Sequence, residues 1–188
     1  VEPLFGWKTK AGISRDKFVV SYSGNLGFKQ GLEIIIESAQ KLAHRSDIVF
    51  ILGGDGSQKS ALQALTQKHQ LTNIIFQGLL DEDTHTAMLT ETDVFMIPQK
   101  PGSGAIFFPS KLLKALSLGR AIVSNAESVS SLHRAILDGE FGLIVAPSDS
   151  SAFAAAIEKL CDDSALRTKL GQAGVQYAAR YSSQKVLP

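Results

Sequence analysis

Three short stretches of this chain gather the residue types that handle phosphate. In Tyr22-Ser23-Gly24-Asn25-Leu26-Gly27-Phe28-Lys29-Gln30-Gly31, Gly24 and Gly27 flank Asn25 just ahead of Lys29. Glycine permits close approach of the main chain to a ligand, N–H groups at a helix start attract anions, and an ammonium neutralises phosphate. A tight strand-to-helix turn with a solvated lysine has the same composition. The second stretch, Gly53-Gly54-Asp55-Gly56-Ser57, lacks the G-x-G-x-x-G spacing of a dinucleotide site, and Asp55 or Ser57 equally suits a helix cap. The third runs from Pro98 to Gly119: a loop containing Ser103, Gly104, Ala105 and Ile106, then Pro109, Ser110 and Lys111 opening a helix. Ser110 fits an N-cap. Lys111 in the first turn opposes the helix macrodipole by about 0.3–1 kcal/mol when exposed, which is sensible where an anion sits at that helix start. A capped helix with a solvated lysine is the alternative.

These stretches need elements to position them. Short apolar runs rich in Val, Ile and Phe predict strands over 18–23, 48–52, 74–77, 94–97, 121–124 and 143–145. Apolar residues three and four apart predict helices over 29–44, 58–70, 83–90, 110–118, 130–138 and 149–161, with a further helix to about Tyr181. Strands joined by helices imply a parallel sheet with right-handed crossovers. The expected fold is therefore α/β: a doubly wound, Rossmann-like sheet of about six strands with helices on both faces. Ligands in such sheets bind beyond the carboxyl ends of the strands, where all three stretches fall. Residues 1–16 read as a polar lead-in or linker, and 17–188 as the α/β domain.

Composition narrows the function. The chain has 188 residues, with 19 Lys plus Arg against 18 Asp plus Glu, so no whole-molecule field favours nucleic acid or an anionic membrane. The single cysteine cannot form an internal disulfide, and the four histidines lack metal-site spacing. A cytoplasmic location and no metal or cofactor are expected. No apolar run approaches the roughly 18 residues of a membrane span. The opening Val1-Glu2-Pro3-Leu4-Phe5 has no signal-peptide pattern and reads as a cut from a longer protein.

In this order and spacing, several motifs together resemble the carboxy-terminal domain of family 4 glycosyltransferases, which have the GT-B fold. They are Ser21-Tyr22-Ser23-Gly24-Asn25-Leu26-Gly27, Lys29-Gln30-Gly31-Leu32-Glu33, Leu52-Gly53-Gly54-Asp55-Gly56, Asn73-Ile74-Ile75-Phe76-Gln77-Gly78, Pro109-Ser110-Lys111-Leu112, Leu118-Gly119-Arg120-Ala121 and Gly142-Leu143-Ile144-Val145. The wording is similar to transferases of colanic acid and O-antigen type polysaccharides. The resemblance implies a retaining hexosyl transfer, without metal, from a UDP- or GDP-type sugar to a glycan or lipid-linked acceptor. The acceptor would be held by an absent amino-terminal domain, so this fragment alone would be inactive, and the parent could sit at the inner face of a membrane.

Residue by residue, the resemblance implies that Gly24, Asn25, Gly27 and Lys29 lie by the diphosphate, with Gly54 and Gly56 beside them. Lys29 would be the main cation and would stabilise the leaving diphosphate together with Lys111. Gln77, Gly78 and Leu79 would face the base, Ser103 to Ile106 the sugar, and Pro109, Ser110 and Lys111 the phosphates. One departure stands out. Family members carry two glutamates separated by seven residues, and the corresponding positions here are Ile106 and Lys114. Ile106 cannot bond a sugar hydroxyl, and Lys114 can only donate where a carboxylate would accept. A sugar-nucleotide epimerase of the same fold and a non-catalytic nucleotide-binding module are the competing expectations.

Overall fold

The computed structural model describes residues 6–102 and 110–184. Its strands are β1 Phe18–Asn25, β2 Ile48–Asp55, β3 Ile74–Gln77, β4 Val94–Ile97, β5 Ala121–Ser124 and β6 Gly142–Ile144. They form a six-stranded sheet of order β3-β2-β1-β4-β5-β6, with every adjacent pair parallel. The helices are α1 Trp7–Lys10, α2 Glu33–Lys41, α3 Lys59–Lys68, α4 Glu82–Thr90, α5 Ser110–Ser117, α6 Ser131–Gly139, α7 Ser150–Asp162 and α8 Ser164–Gln184. Strand order reverses direction between β1 and β4, and in open α/β sheets that switch point is where a crevice opens at the carboxyl edge.

The period-two alternation of strand side chains divides the core. Phe18, Val20 and Tyr22 of β1 join Phe50 and Leu52 of β2 under α2, α3 and α7, where Phe153, Ile157 and Leu160 are buried. On the other face Val19, Ile51, Phe95 and Ile122 pack beneath α4, α5, α6 and α8. Ser21 and Ser23, in phase with Val19, therefore point their side chains at α4. The Ser21 hydroxyl meets Thr92 Oγ1 at 2.9 Å, and Thr92 in turn donates to the Met88 carbonyl. A buried hydroxyl is thus satisfied locally, as burial requires.

The lead-in expected over 1–16 is docked on the domain from Gly6 onward. Trp7 and Ile13 are buried in the second core. Glu91 accepts from the Gly6 and Lys8 amides at 2.6 and 2.5 Å, and Asp93 accepts from Val19 N at 2.8 Å. The helix expected over 29–44 is interrupted at its start: a 3-10 turn at Phe28–Gln30 ends at Gly31, whose φ of 61° is left-handed, and α2 begins only at Glu33. A left-handed residue ends one helical segment before the next begins.

Candidate functional site

Strands β1 and β2 run further than their apolar cores require, with Ser23↔Gly53, Gly24↔Gly54 and Asn25↔Asp55 in register beyond the last branched residues. The extension depends on a glycine at Gly54. Gly54 has φ of 127°, and a Cβ there would lie 1.9 Å from the Gly24 carbonyl oxygen. Its N–H donates to the Gly78 carbonyl at 3.1 Å, which ties the loop after β3 to the same edge. Gly56 lies against Asn25 and Leu26, where a Cβ would come within 2.5 Å of Asn25 Oδ1. The glycines in the first two stretches therefore hold two chain segments close together.

At this edge lies a cleft of about 370 Å3. Ser23, Gly24 and Asn25 of β1 and Gly53, Gly54 and Asp55 of β2 form one side, while Leu79 and Leu80 after β3, Glu82 and His85 of α4, and Lys111 of α5 form the rest. Asp81 caps α4 by accepting from Thr84 N at 2.8 Å, fixing where Glu82 and His85 begin their helical spacing. Glu82 pairs with Lys114 Nζ one turn along α5 from Lys111. That hydrogen bond with Lys114 lowers the Glu82 pKa, keeping the carboxylate charged. Desolvation lowers the Lys111 pKa. The cleft consequently offers one partly desolvated ammonium opposite a wall of main chain, with the Glu82–Lys114 pair at its side.

The expected site residues distribute unevenly. Gly24, Asn25, Gly54, Leu79 and Lys111 line the cleft, and Leu79 is 81% exposed. Gly27, Gly56, Gln77 and Gly78 lie in the segments that shape this edge and are not among the lining residues. Lys29 stands on the 3-10 turn, exposed, its carbonyl accepting from Lys100 N at 3.3 Å; it too is outside the lining. Lys114 engages Glu82. Ser103, Gly104, Ala105, Ile106 and Pro109 lie outside the described residues, as does the expected Ser110 cap contact. Asp55 does not cap α3; it accepts from Gly56 N and Lys59 Nζ.

A pair that sequence reasoning missed lies at the cleft's base. His85 is buried, and its Nε2 meets Ser23 Oγ at 2.7 Å. Desolvation, then the charges of Lys114 and Lys111, lower the His85 pKa, favouring neutral imidazole. The signal was available in part: His85 is in phase with buried Met88 and Leu89 on α4.

Two other cavities are larger. One of about 490 Å3 between α6 and the ends of β5 and β6 is lined largely by apolar groups such as Leu137, Ile144 and Pro147. The other, about 580 Å3, lies at the opposite sheet edge, where Glu91, Asp93 and Arg120 already bond the main chain. Neither brings strand-end glycines to a lysine at a helix start.

The family model for Glycosyl transferases group 1 matches residues 6–177, nearly the whole described domain. The chain belongs to the group 1 glycosyltransferases. WcaI of Escherichia coli (strain K12), a candidate glycosyl transferase of colanic acid biosynthesis, is 36% identical over 125 residues, covering 66% of this chain and 30% of WcaI. Among solved structures, the C-terminal domain of the group 1 family protein LpcC from Francisella tularensis superposes with a TM-score of 0.78 at 22% identity, covering 96% of this chain and 93% of that one. Anabaena HepE in complex with UDP-glucose gives a TM-score of 0.78 at 18% identity, covering 92% of this chain and 46% of HepE. The sheet of this group 1 domain has the Rossmann-like architecture of GT-B glycosyltransferases. The chain spans less than half the length of the curated relatives it matches, 30% of WcaI and 42% of an alpha-D-kanosaminyltransferase from Streptomyces kanamyceticus.

Proposed function

We propose that this chain is the carboxy-terminal, donor-binding domain of a retaining, family 4 hexosyltransferase acting in polysaccharide synthesis in the cytoplasm. The donor is a nucleotide diphosphate sugar of the UDP or GDP type, and the acceptor a glycan or lipid-linked glycan held by an amino-terminal domain. The observation that carries this reading is the cleft itself: the ends of β1 and β2 at Gly24–Asn25 and Gly53–Gly54, faced by Lys111 in the first turn of α5. Its position at the carboxyl edge supports it, and so does the UDP-glucose complex of HepE, a protein of the same fold.

The chemistry follows from charge. Cleavage of the bond between sugar and diphosphate builds negative charge on the leaving oxygens, so amide dipoles and a fixed ammonium help most in the transition state. A preorganised donor of this kind is worth about 3 kcal/mol. Lys111 supplies the ammonium from the cleft wall, and Lys29 adds positive charge from the same sheet edge. No metal or cofactor enters this reading. Where Lys114 stands in place of a glutamate, the Glu82 carboxylate beside it lines the cleft and can accept from ribose hydroxyls. The non-catalytic reading is favoured by Ile106 and Lys114, which stand where the family carries two glutamates, and a full-length protein that binds donor without transferring sugar would establish it.

A thermal-shift panel of UDP, GDP and ADP tests the assignment. A ligand at 100 times its dissociation constant stabilises the fold by about 2.7 kcal/mol, so at least one nucleoside diphosphate raises Tm by several degrees. Equal Tm with and without all three contradicts it.

A further inference from the structure

β1 presents two serines to α4, and they differ in what they can do. Ser21 is closed off: among the described residues its hydroxyl meets buried Thr92, whose own proton goes to Met88. Ser23, two residues nearer the carboxyl edge, shares a 2.7 Å contact with His85 Nε2, and both residues line the cleft. The pair can hold its protons in two ways when the imidazole is neutral. If Ser23 donates to Nε2, its hydrogen is used up and only oxygen lone pairs face a ligand. If Nε2–H donates to Oγ, the hydroxyl hydrogen is free to turn toward the cleft. An imidazolium enforces the second arrangement and adds a positive charge behind the hydroxyl.

We infer that Ser23 and His85 together form a proton-coupled anion donor: an anionic ligand in the cleft is met by the Ser23 hydroxyl while His85 takes one proton from solvent and donates Nε2–H to Oγ. No covalent bond forms or breaks beyond that protonation. The inference rests on the proposed diphosphate reading of the same cleft. Charged groups around the imidazole set its range. Lys111 and Lys114 on α5 disfavour the proton, Glu82 on its own helix favours it, and Asp55 at the end of β2 is engaged by Gly56 N and Lys59. A bound diphosphate offsets the two lysines and reverses the balance. Burial holds His85 below its ordinary pKa in the free protein, so proton uptake accompanies binding at pH between the imidazole pKa values of the free and bound protein.

The sign follows: affinity is highest below the imidazole pKa of the free protein and is lost as pH rises through that of the complex. Each unit by which the ligand raises this pKa changes affinity about tenfold. The test is calorimetric titration with UDP-glucose, UDP-N-acetylglucosamine, GDP-mannose and ADP-glucose, whose diphosphate diesters keep constant charge over the range. Measurements at about pH 6 and about pH 8, in buffers of different ionisation enthalpy, count the protons. Wild-type protein is expected to bind one of these donors several-fold more tightly at the lower pH, with net proton uptake. His85→Gln removes both the pH dependence and the uptake, and Ser23→Ala weakens binding at low pH and flattens the profile. Because Ser23→Ala keeps the imidazole, it tests the pair even if His85→Gln fails to fold. An identical pH profile in wild type and both variants overturns this inference while leaving the donor site intact. Absence of binding by wild type to every donor at either pH removes the diphosphate reading and this inference with it.

Discussion

Lys111 occupies a position that an empty helix start disfavours. It stands in the first turn of α5, where the macrodipole repels a cation, and although it is exposed, partial desolvation lowers its pKa. A bound anion resolves both costs at once. Replacing it by alanine should therefore weaken nucleotide binding about tenfold to a hundredfold, the range of a lost charge-assisted contact of about 1.5–3 kcal/mol, without lowering the Tm of free protein. Lys29→Ala should cost less, since Lys29 lies outside the cleft lining. Calorimetry on the two variants decides the ranking, and a larger loss in Lys29→Ala would return the main cation to the loop after β1. At this scale Gly24, Gly54 and Lys111 were legible because their types are unusual for where they sit. The Ser23–His85 contact was not, because its partners are 62 residues apart and only strand pairing and helix phase bring them together.

The elements were more legible than their ends. β3, β4 and β5 have the bounds their branched apolar runs predict. β1 and β2 continue past that point through Gly24, Gly53 and Gly54, residues of low strand preference, because each extension is the other's hydrogen-bonding partner. Long-range pairing overrode local preference. That paired edge shapes the cleft, and Gly54 is its most constrained point. Gly54→Ala forces a Cβ into the Gly24 carbonyl at positive φ, and about 2–4 kcal/mol of stability should be lost. Gly78→Ala, where nothing lies within 4 Å of a Cβ, should stay within about 0.5 kcal/mol. Urea midpoints compare them, and equal midpoints would mean that β1 and β2 can part at this edge without cost.

At the scale of the whole molecule, alternating strand and helix patterns were enough to predict a parallel, doubly wound sheet. Which strands neighbour which was not readable from those patterns, because the order β3-β2-β1-β4-β5-β6 depends on the crossover direction at each step. The order matters for function: it puts the reversal between β1 and β4, so that the loop after β1 and the helix after β4 both face one crevice. The packing of the lead-in was not readable for a related reason. Its polar residues suggested a linker, whereas Trp7 and Ile13 are buried in a core that includes Met88 and Leu89 of α4, at least 75 residues away. A crystal structure of this domain with a bound nucleoside diphosphate tests the central claim most directly. The diphosphate should lie at Gly24–Asn25 and Gly54 with Lys111 Nζ on a phosphate oxygen. Nucleotide seated instead in the cavity between α6 and β6, with Lys111 turned to solvent, would contradict it.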